Sequence, residues 1–327
     1  MTTVEKEIFE QSNVLKSTFD FSVDVIKNAK IPEFLLNSDI VYFIGCGSSY
    51  YLAITASKYF NFKTGIEAKA LVGGEVMFAS DFNIGKTNLK RSAILISRSG
   101  ESSEVVHAGE ILKKLSIPTI GVTLNKDSSL AKISDVSYVL PIKEESIVMT
   151  KSFTSILLFL EVLIDFISDT SEVDKSEYID LLEKVDFIIN DSLTQIEKKA
   201  LLNENHFIFL GLGAYEGIAR ESALKLQEMS ITKIEAYSTF DYRHGPKSLF
   251  SSESVAVIYG TGMEDEQKLK QELESYGGKV IIRKSFSKEQ RDAFLQVIFG
   301  QILGLKLAYK KSIDVEKPRN LTKVVKL

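Results

Sequence analysis

One short pattern occurs twice in this chain, and it limits the folds available. Residues 43–53 read FIGCGSSYYLA and residues 209–219 read FLGLGAYEGIA. Each copy is an apolar run that enters a Gly-x-Gly turn and leaves with helical spacing. A second pair follows at similar spacing, Ile94 to Ser97 with its turn and Val257 to Gly260 with its turn. Repetition of a strand–turn–helix unit at this scale points to two copies of one sheet unit. In such sheets ligands bind at the carboxyl ends of the strands, where these turns lie. The dinucleotide fingerprint G-x-G-x-x-G is not completed, because Tyr50 and Glu216 take the third glycine's place. A nicotinamide cofactor is therefore excluded.

The remaining chain fits this frame. Residues 3–28 predict one amphipathic helix, or two broken near Ser12, with Ile8, Leu15, Phe19 and Ile26 on the buried stripe. Short apolar strands are expected at 40–44, 66–72, 92–96, 118–122 and 136–140, with helices between them and a long helix over 150–167. The second half offers strands at 206–210, 233–237, 255–259 and 278–282, and helices at 215–229, 264–276 and 288–309. Alternation of this kind is the signature of a parallel, helix-covered sheet. The expected divisions are an N-terminal helical segment (1–30), a first domain (31–170), a charged connecting helix (171–200) and a second domain (201–327).

Residues 95–104, LISRSGESSE, carry the first chemical signal. They lie between an apolar strand and a helix. Free backbone N–H groups at a helix start, a glycine that lets the chain come close, and several hydroxyls together suit a phosphate monoester. One serine there would serve as an N-cap. Ser97, Ser99, Ser102 and Ser103 around Gly100 shift the balance toward an anion site.

Charge and composition remove other classes. A net charge of −4 argues against nucleic acid or an anionic membrane as the main partner. Cys46 is the only cysteine, which fits a reducing compartment and rules out an intrachain disulfide. The three histidines, His107, His206 and His244, are too scattered for a metal site. The N-terminus lacks a signal-peptide core, and Glu161 and Asp165 interrupt the longest apolar helix, so a cytoplasmic protein is expected.

Five blocks in order bring a family resemblance: residues 44–49 (IGCGSS), 96–102 (ISRSGES), 146–154 (SIVMTKSFT), the run from 221–228 (ESALKLQE) to 243–249 (RHGPKSL), and 314–323 (DVEKPRNLTK). From about Glu7 to Leu327 the chain resembles the double sugar isomerase (SIS) domain proteins. Among these it is similar to the isomerase half of glutamine–fructose-6-phosphate aminotransferase and to the stand-alone aldosamine-6-phosphate deaminase/isomerases. The resemblance implies two α/β/α sandwiches, each with a mainly parallel five-stranded sheet. It also implies ring opening, proton transfer and imine hydrolysis on an amino sugar phosphate without a cofactor or metal. Arg98 stands where the aminotransferase usually has Gln, and residues 149–153 and 243–249 look more like the deaminase group. With a start of MTTV and a first strand reached by Ile40, no glutaminase domain is expected, and ammonia release is the expected direction.

The resemblance also assigns roles. Glu228 matches the general base that moves a proton between neighbouring carbons. Glu221, Lys225 and Glu228 share one helix face, and Lys225 beside the base would hold it ionised. A solvated salt-bridged face is the alternative; the flanking Leu224 and Leu226 speak against it. His244 matches the ring-opening histidine, which in the family reaches the site from a neighbouring subunit and so implies a homodimer. Without the family it reads as a surface histidine in a Pro-Gly turn. Lys323 matches the lysine that forms a Schiff base in the aminotransferase; a solvated tail lysine is the plain reading. Gly47, Ser48, Ser49, Ser97, Arg98, Ser99 and Ser102 are expected to bind the sugar and its phosphate. The alternatives are isomerisation of a neutral sugar phosphate, deglycation of an amine–sugar adduct, or a sugar-phosphate sensor without turnover. Sensors of that class carry a DNA-binding domain, and no helix-turn-helix or basic segment is visible.

Overall fold

The computed structural model describes residues 1–29, 31–169 and 175–326. In chain order the elements are helices α1 (Thr3–Phe9), α2 (Gln11–Ala29) and α3 (Glu33–Leu36), then β1 (Ile40–Gly45), α4 (Ser48–Thr64), β2 (Glu67–Val72), α5 (Gly73–Asn83), β3 (Arg91–Ile96), α6 (Ser103–Lys114), β4 (Thr119–Thr123), α7 (Ser129–Ile133), β5 (Val136–Val139) and α8 (Lys151–Ser168). They continue with α9 (Lys175–Leu182), α10 (Val185–Lys198), β6 (His206–Gly211), α11 (Tyr215–Ser230), β7 (Ile234–Ser238), β8 (Ser254–Gly260), α12 (Glu264–Ser275), β9 (Lys279–Lys284) and α13 (Ala293–Lys310). Among the described residues no helix is long and apolar enough to cross a membrane.

Two compact units form, and neither is one contiguous stretch. The N-terminal unit comprises 13–144, 151–175 and 322–327; the C-terminal unit comprises 1–12, 145–150 and 176–321. The divisions expected at 31–170 and 201–327 thus exchange segments. The tail from Thr322 belongs with the first sheet, and α9 and α10 belong to the C-terminal unit instead of forming a separate connector. Of the expected connecting helix, 170–174 lies outside the described residues.

The N-terminal unit holds a parallel five-stranded sheet in the order β2-β1-β3-β4-β5. Alternation along β1 sends Ile40, Tyr42 and Ile44 into an apolar cluster with Val76, Val105, Ala108, Leu112 and Leu130 from α5, α6 and α7. Phe43 points the other way, onto Phe60 of α4, with ring centroids 5.6 Å apart. Helices therefore cover both faces, and the central strands are buried along nearly their whole length.

The C-terminal unit repeats the pattern in the order β7-β6-β8-β9, again parallel. Four strands stand here where five were expected. After β9 the remaining apolar residues are taken up by α13 and not by a further strand. Instead Asp292 accepts the Phe286 N–H at 2.9 Å and the Gln296 amide at 2.7 Å, which fixes a polar turn ahead of α13. That turn also delays α13, which starts at Ala293 instead of 288.

The duplicated Gly-x-Gly has a steric cause. A Cβ at Gly45 would overlap the Ser49 backbone, and one at Gly211 would overlap the Tyr215 backbone. In both copies the first glycine lets the strand end press against the first turn of the following helix. Gly47 and Gly213 then take positive φ, 55° and 59°, to turn the chain into that helix.

Candidate active site

In the N-terminal unit the serine loop connects β3 to α6. Ser97 is buried, and its Oγ accepts the Gly100 N–H at 3.1 Å and lies 3.3 Å from Ser102 Oγ. Ser99 Oγ accepts the Glu101 N–H at 3.1 Å. Gly100 has φ 69°, and a Cβ there would overlap the Ser128 side chain, so the loop is pressed onto the start of α7. Ser102 occupies the N-cap position of α6, yet its hydroxyl makes no capping hydrogen bond. The capping alternative therefore fails where it was strongest. Glu101, the loop's acid, accepts the Ser129 N–H at 2.8 Å and the Ser129 hydroxyl at 3.0 Å. These two bonds hold its pKa below the ordinary carboxylate value. Ser48 and Ser49 are buried at the start of α4, directly after Gly47.

Arg98 and Lys323 meet one residue that the sequence reading missed. Glu144 has a fully buried carboxylate that accepts Arg98 Nη1 at 2.7 Å, the Ser152 N–H at 3.0 Å and the Ser152 hydroxyl at 2.5 Å. Burial alone would raise its pKa; the Arg98 charge and the Ser152 donors outweigh that and lower it. Lys323 Nζ donates to the main-chain carbonyl of the same Glu144 at 2.6 Å. Two residues on, Val325 O accepts the Ser103 N–H at 3.3 Å, at the start of α6. Lys323 itself is exposed, with its ammonium tied to that carbonyl.

In the C-terminal unit α11 carries the acidic row. Lys225 Nζ lies 3.1 Å from Glu221 Oε1 and 2.5 Å from Glu228 Oε2. The side chains of Glu221 and Lys225 are fully buried, while Glu228 keeps 17% exposure. The solvated-face alternative is thus overturned. Desolvation would lower the Lys225 pKa, but the two carboxylates reverse this and raise it, so the ammonium stays charged. One cation between two carboxylates leaves a surplus negative charge, and the accessible carboxylate is Glu228. A group of that kind can accept a proton from carbon.

His244 is exposed on the loop between β7 and β8. Its main-chain N–H donates to Asp241 O at 2.9 Å, and no hydrogen bond to its ring occurs among the described residues. Glu272 of α12 anchors both sides of that loop through Arg243, at 2.8 Å, and through Lys247. Those cations lower the Glu272 pKa, Lys247 most. The other histidines are occupied elsewhere, His107 with Glu110 at 2.9 Å and His206 with Ser254 Oγ at 2.9 Å. No cluster able to hold a metal is found among the described residues.

The two repeats differ at their corresponding turns. The loop after β8 corresponds to the serine loop after β3. There Glu266 of α12, itself 1% exposed, fills the turn: its carboxylate accepts the Thr261 N–H at 2.8 Å, the Thr261 hydroxyl at 2.9 Å and the Gly262 N–H at 3.0 Å. The second Gly-x-Gly turn is filled as well, since Ala214 N–H donates to Gln290 Oε1 at 2.7 Å. The C-terminal copies of both turns thus hold side chains of their own unit. No sequence signal marked Glu266 or Gln290, because each is defined by a loop it meets only after folding.

A fold of two parallel sheets whose first copy carries a hydroxyl-rich strand–helix turn defines the class: the chain belongs to the SIS-domain family, and the SIS domain is matched over residues 34–165. Among solved structures it is similar to a glucosamine-6-phosphate deaminase from Thermotoga maritima, with 39% identity, a TM-score of 0.88, and 99% of both chains covered. The C-terminal domain of glucosamine-fructose-6-phosphate aminotransferase from Francisella tularensis shares the fold, with 23% identity and a TM-score of 0.83 over 97% of this chain and 98% of that one. A curated relative, the glutamine–fructose-6-phosphate aminotransferase of Helicobacter pylori (strain J99), is 26% identical over 352 residues, covering 98% of this chain. The chain spans 58% of the length of the curated relatives it matches.

Proposed function

We propose that the protein is an aldosamine-6-phosphate deaminase/isomerase: glucosamine 6-phosphate, or its galacto epimer, and water give a ketose 6-phosphate and ammonia. The observation that carries this reading is the α11 row, in which Glu228 is the accessible end of a buried Glu221–Lys225 pair. A proton shuttle between C2 and C1 needs a carboxylate that substrate can reach. The 39% identity to a glucosamine-6-phosphate deaminase over 99% of both chains supports the amino sugar as substrate. The C-terminal unit is read as a second SIS domain, on the strength of its strand order β7-β6-β8-β9, which repeats β2-β1-β3-β4.

In this mechanism Ser97, Ser99 and Ser102, with the N–H groups of their loop, take the phosphate, and Gly47, Ser48 and Ser49 take sugar hydroxyls. His244 opens the ring and acts on the neighbouring subunit of a cytoplasmic homodimer; its exposed, unengaged ring supports that role. Glu228 removes the C2 proton and returns it at C1, which converts the open-chain aldosamine to a ketose imine. Water adds to the imine carbon and ammonia leaves. Lys225 stabilises the Glu228 carboxylate, and Lys323 lies on the tail that borders the serine loop.

The test is ammonia release from each amino sugar phosphate by purified protein. Glu228→Gln keeps the shape of the side chain and removes the base, so turnover should fall by about a hundredfold or more. Equal rates for the two proteins would refute the assignment of Glu228, and no release by either would refute the deaminase.

A further inference from the structure

His244 sits at the junction of two short 3-10 turns, Asp241–Arg243 and Pro246–Leu249. Each turn closes on itself: the His244 N–H donates to Asp241 O at 2.9 Å, and the Ser248 N–H to Gly245 O at 3.0 Å. Among the described residues no main-chain hydrogen bond joins one turn to the other. At the junction Gly245 takes φ 130°, a conformation open to glycine. On either side of the junction, Tyr242 and Phe250 are buried in an apolar cluster with Leu269 and Leu273 of α12. Glu272 shares a helix face with these two leucines, three and four residues along from Leu269 and beside Leu273. Its Oε2 accepts Arg243 Nη2 at 2.8 Å and Nε at 3.1 Å. Its Oε1 accepts the Lys247 ammonium, and the Tyr276 hydroxyl at 3.3 Å. One carboxylate thus binds one residue of each turn.

We infer that Glu272 is a positioning residue that clamps the two turns around His244 and so sets where its imidazole is presented; the inference rests on the reading of His244 as the ring-opening group. The buried Tyr242 and Phe250 rings fix the outer ends of the segment and leave the His244–Gly245 junction to the clamp. Charge-assisted bonds to both flanks hold that junction in one shape. Without the carboxylate, Arg243 and Lys247 are two neighbouring cations with no shared partner. Their side chains are 40% and 31% exposed, so both can turn to water and release the turns from one another. The apolar anchors stay in place, and the unit remains folded while the junction loosens.

Three readouts on the full-length protein test this: steady-state ammonia release from glucosamine 6-phosphate, the Kd for glucitol 6-phosphate by calorimetry, and hydrogen–deuterium exchange of the peptide holding residues 240–249. In Glu272→Gln kcat should fall roughly threefold to tenfold, the range for the loss of two partly exposed charged contacts, with KM little changed. Glucitol 6-phosphate has no ring to open, so its Kd should stay level. Exchange over 240–249 should rise. Glu272→Asp keeps the charge and should recover part of kcat; no recovery would overturn the claim that the charge does the holding. Unchanged kcat or unchanged exchange in Glu272→Gln overturns the proposal. A glucitol 6-phosphate Kd that rises by the factor kcat falls overturns it too, because Glu272 would then act through the fold as a whole. If Glu272→Gln does not fold, Arg243→Gln removes both guanidinium bonds and is judged by the same three readouts. No ammonia release by the wild-type protein would refute the deaminase reading itself, and exchange over 240–249 would then decide whether Glu272 holds the loop.

Discussion

Removing Glu266 should open an anion site in the C-terminal unit that the wild-type chain keeps closed. Glu266 delivers a buried carboxylate to the Thr261 and Gly262 N–H groups and to the Thr261 hydroxyl. In Glu266→Ala those donors lose a charged acceptor. Hydrogen bonds to charged groups contribute about 1.5–3 kcal/mol each, and the Thr261 hydroxyl can find another partner, so a net loss of about 3 kcal/mol is expected. For a unit of this size that lowers the unfolding midpoint by roughly 6–12 °C. An added anion at ten times its Kd should return about 1.4 kcal/mol, or roughly 3–6 °C. Glu266→Gln fills the same space and leaves no room for an anion. The assay is thermal unfolding of both variants against rising acetate or phosphate. Because both retain the serine loop, any anion effect there is common to them and cancels in the difference. Parallel responses of the two variants would refute the claim that the carboxylate takes the place of a bound anion.

Three further outcomes follow from the same geometry. Lys225→Met leaves Glu221 and Glu228 without their cation and should cost about 3–5 kcal/mol in urea unfolding, with Glu221→Gln/Lys225→Met recovering part of it. Because the folded pKa of Lys225 is raised from 10.5, its contribution is complete below 10.5 and is lost as pH rises through the folded value. The alkaline limb of the stability profile should therefore flatten in Lys225→Met. Glu144 has the opposite sign. Its folded pKa is lowered from 4.5, so its contribution is present above 4.5 and is lost as pH falls through the folded value, and Glu144→Gln should flatten the acid limb. Gly45→Ala and Gly211→Ala force a methyl against the Ser49 and Tyr215 backbones and should each destabilise by about 1–3 kcal/mol, read as a lowered urea midpoint; a wild-type midpoint would refute the close-packing account.

Much of the architecture is legible from local pattern. The repeated Gly-x-Gly blocks mark the two units, because a strand end that must touch the next helix admits only glycine. The α11 row is legible from spacing alone, since residues three and four apart share a helix face. Its burial is not. Gly300 and Gly304 of α13 lie against Ser222 and the Lys225 backbone, and this close packing removes the row from water. Helix starts are less well marked: α4 begins at Ser48, directly after Gly47, with a polar Ser48-Ser49 pair that carries no apolar period.

Sequence by itself determined the alternation of strands and helices, the duplication, the serine turn and the carboxylate–lysine spacing. All are set by period and by residue type within a few positions of one another. Tertiary structure alone decided which of the two corresponding turns is filled by a carboxylate, which carboxylate Arg98 finds, and where the tail lysine rests. Those outcomes depend on partners such as Glu144 and Glu266, which long loops and parallel strand crossings bring to a turn from elsewhere in the fold. A buried charge takes whichever partner the packed chain presents, and no local period in the sequence records that choice.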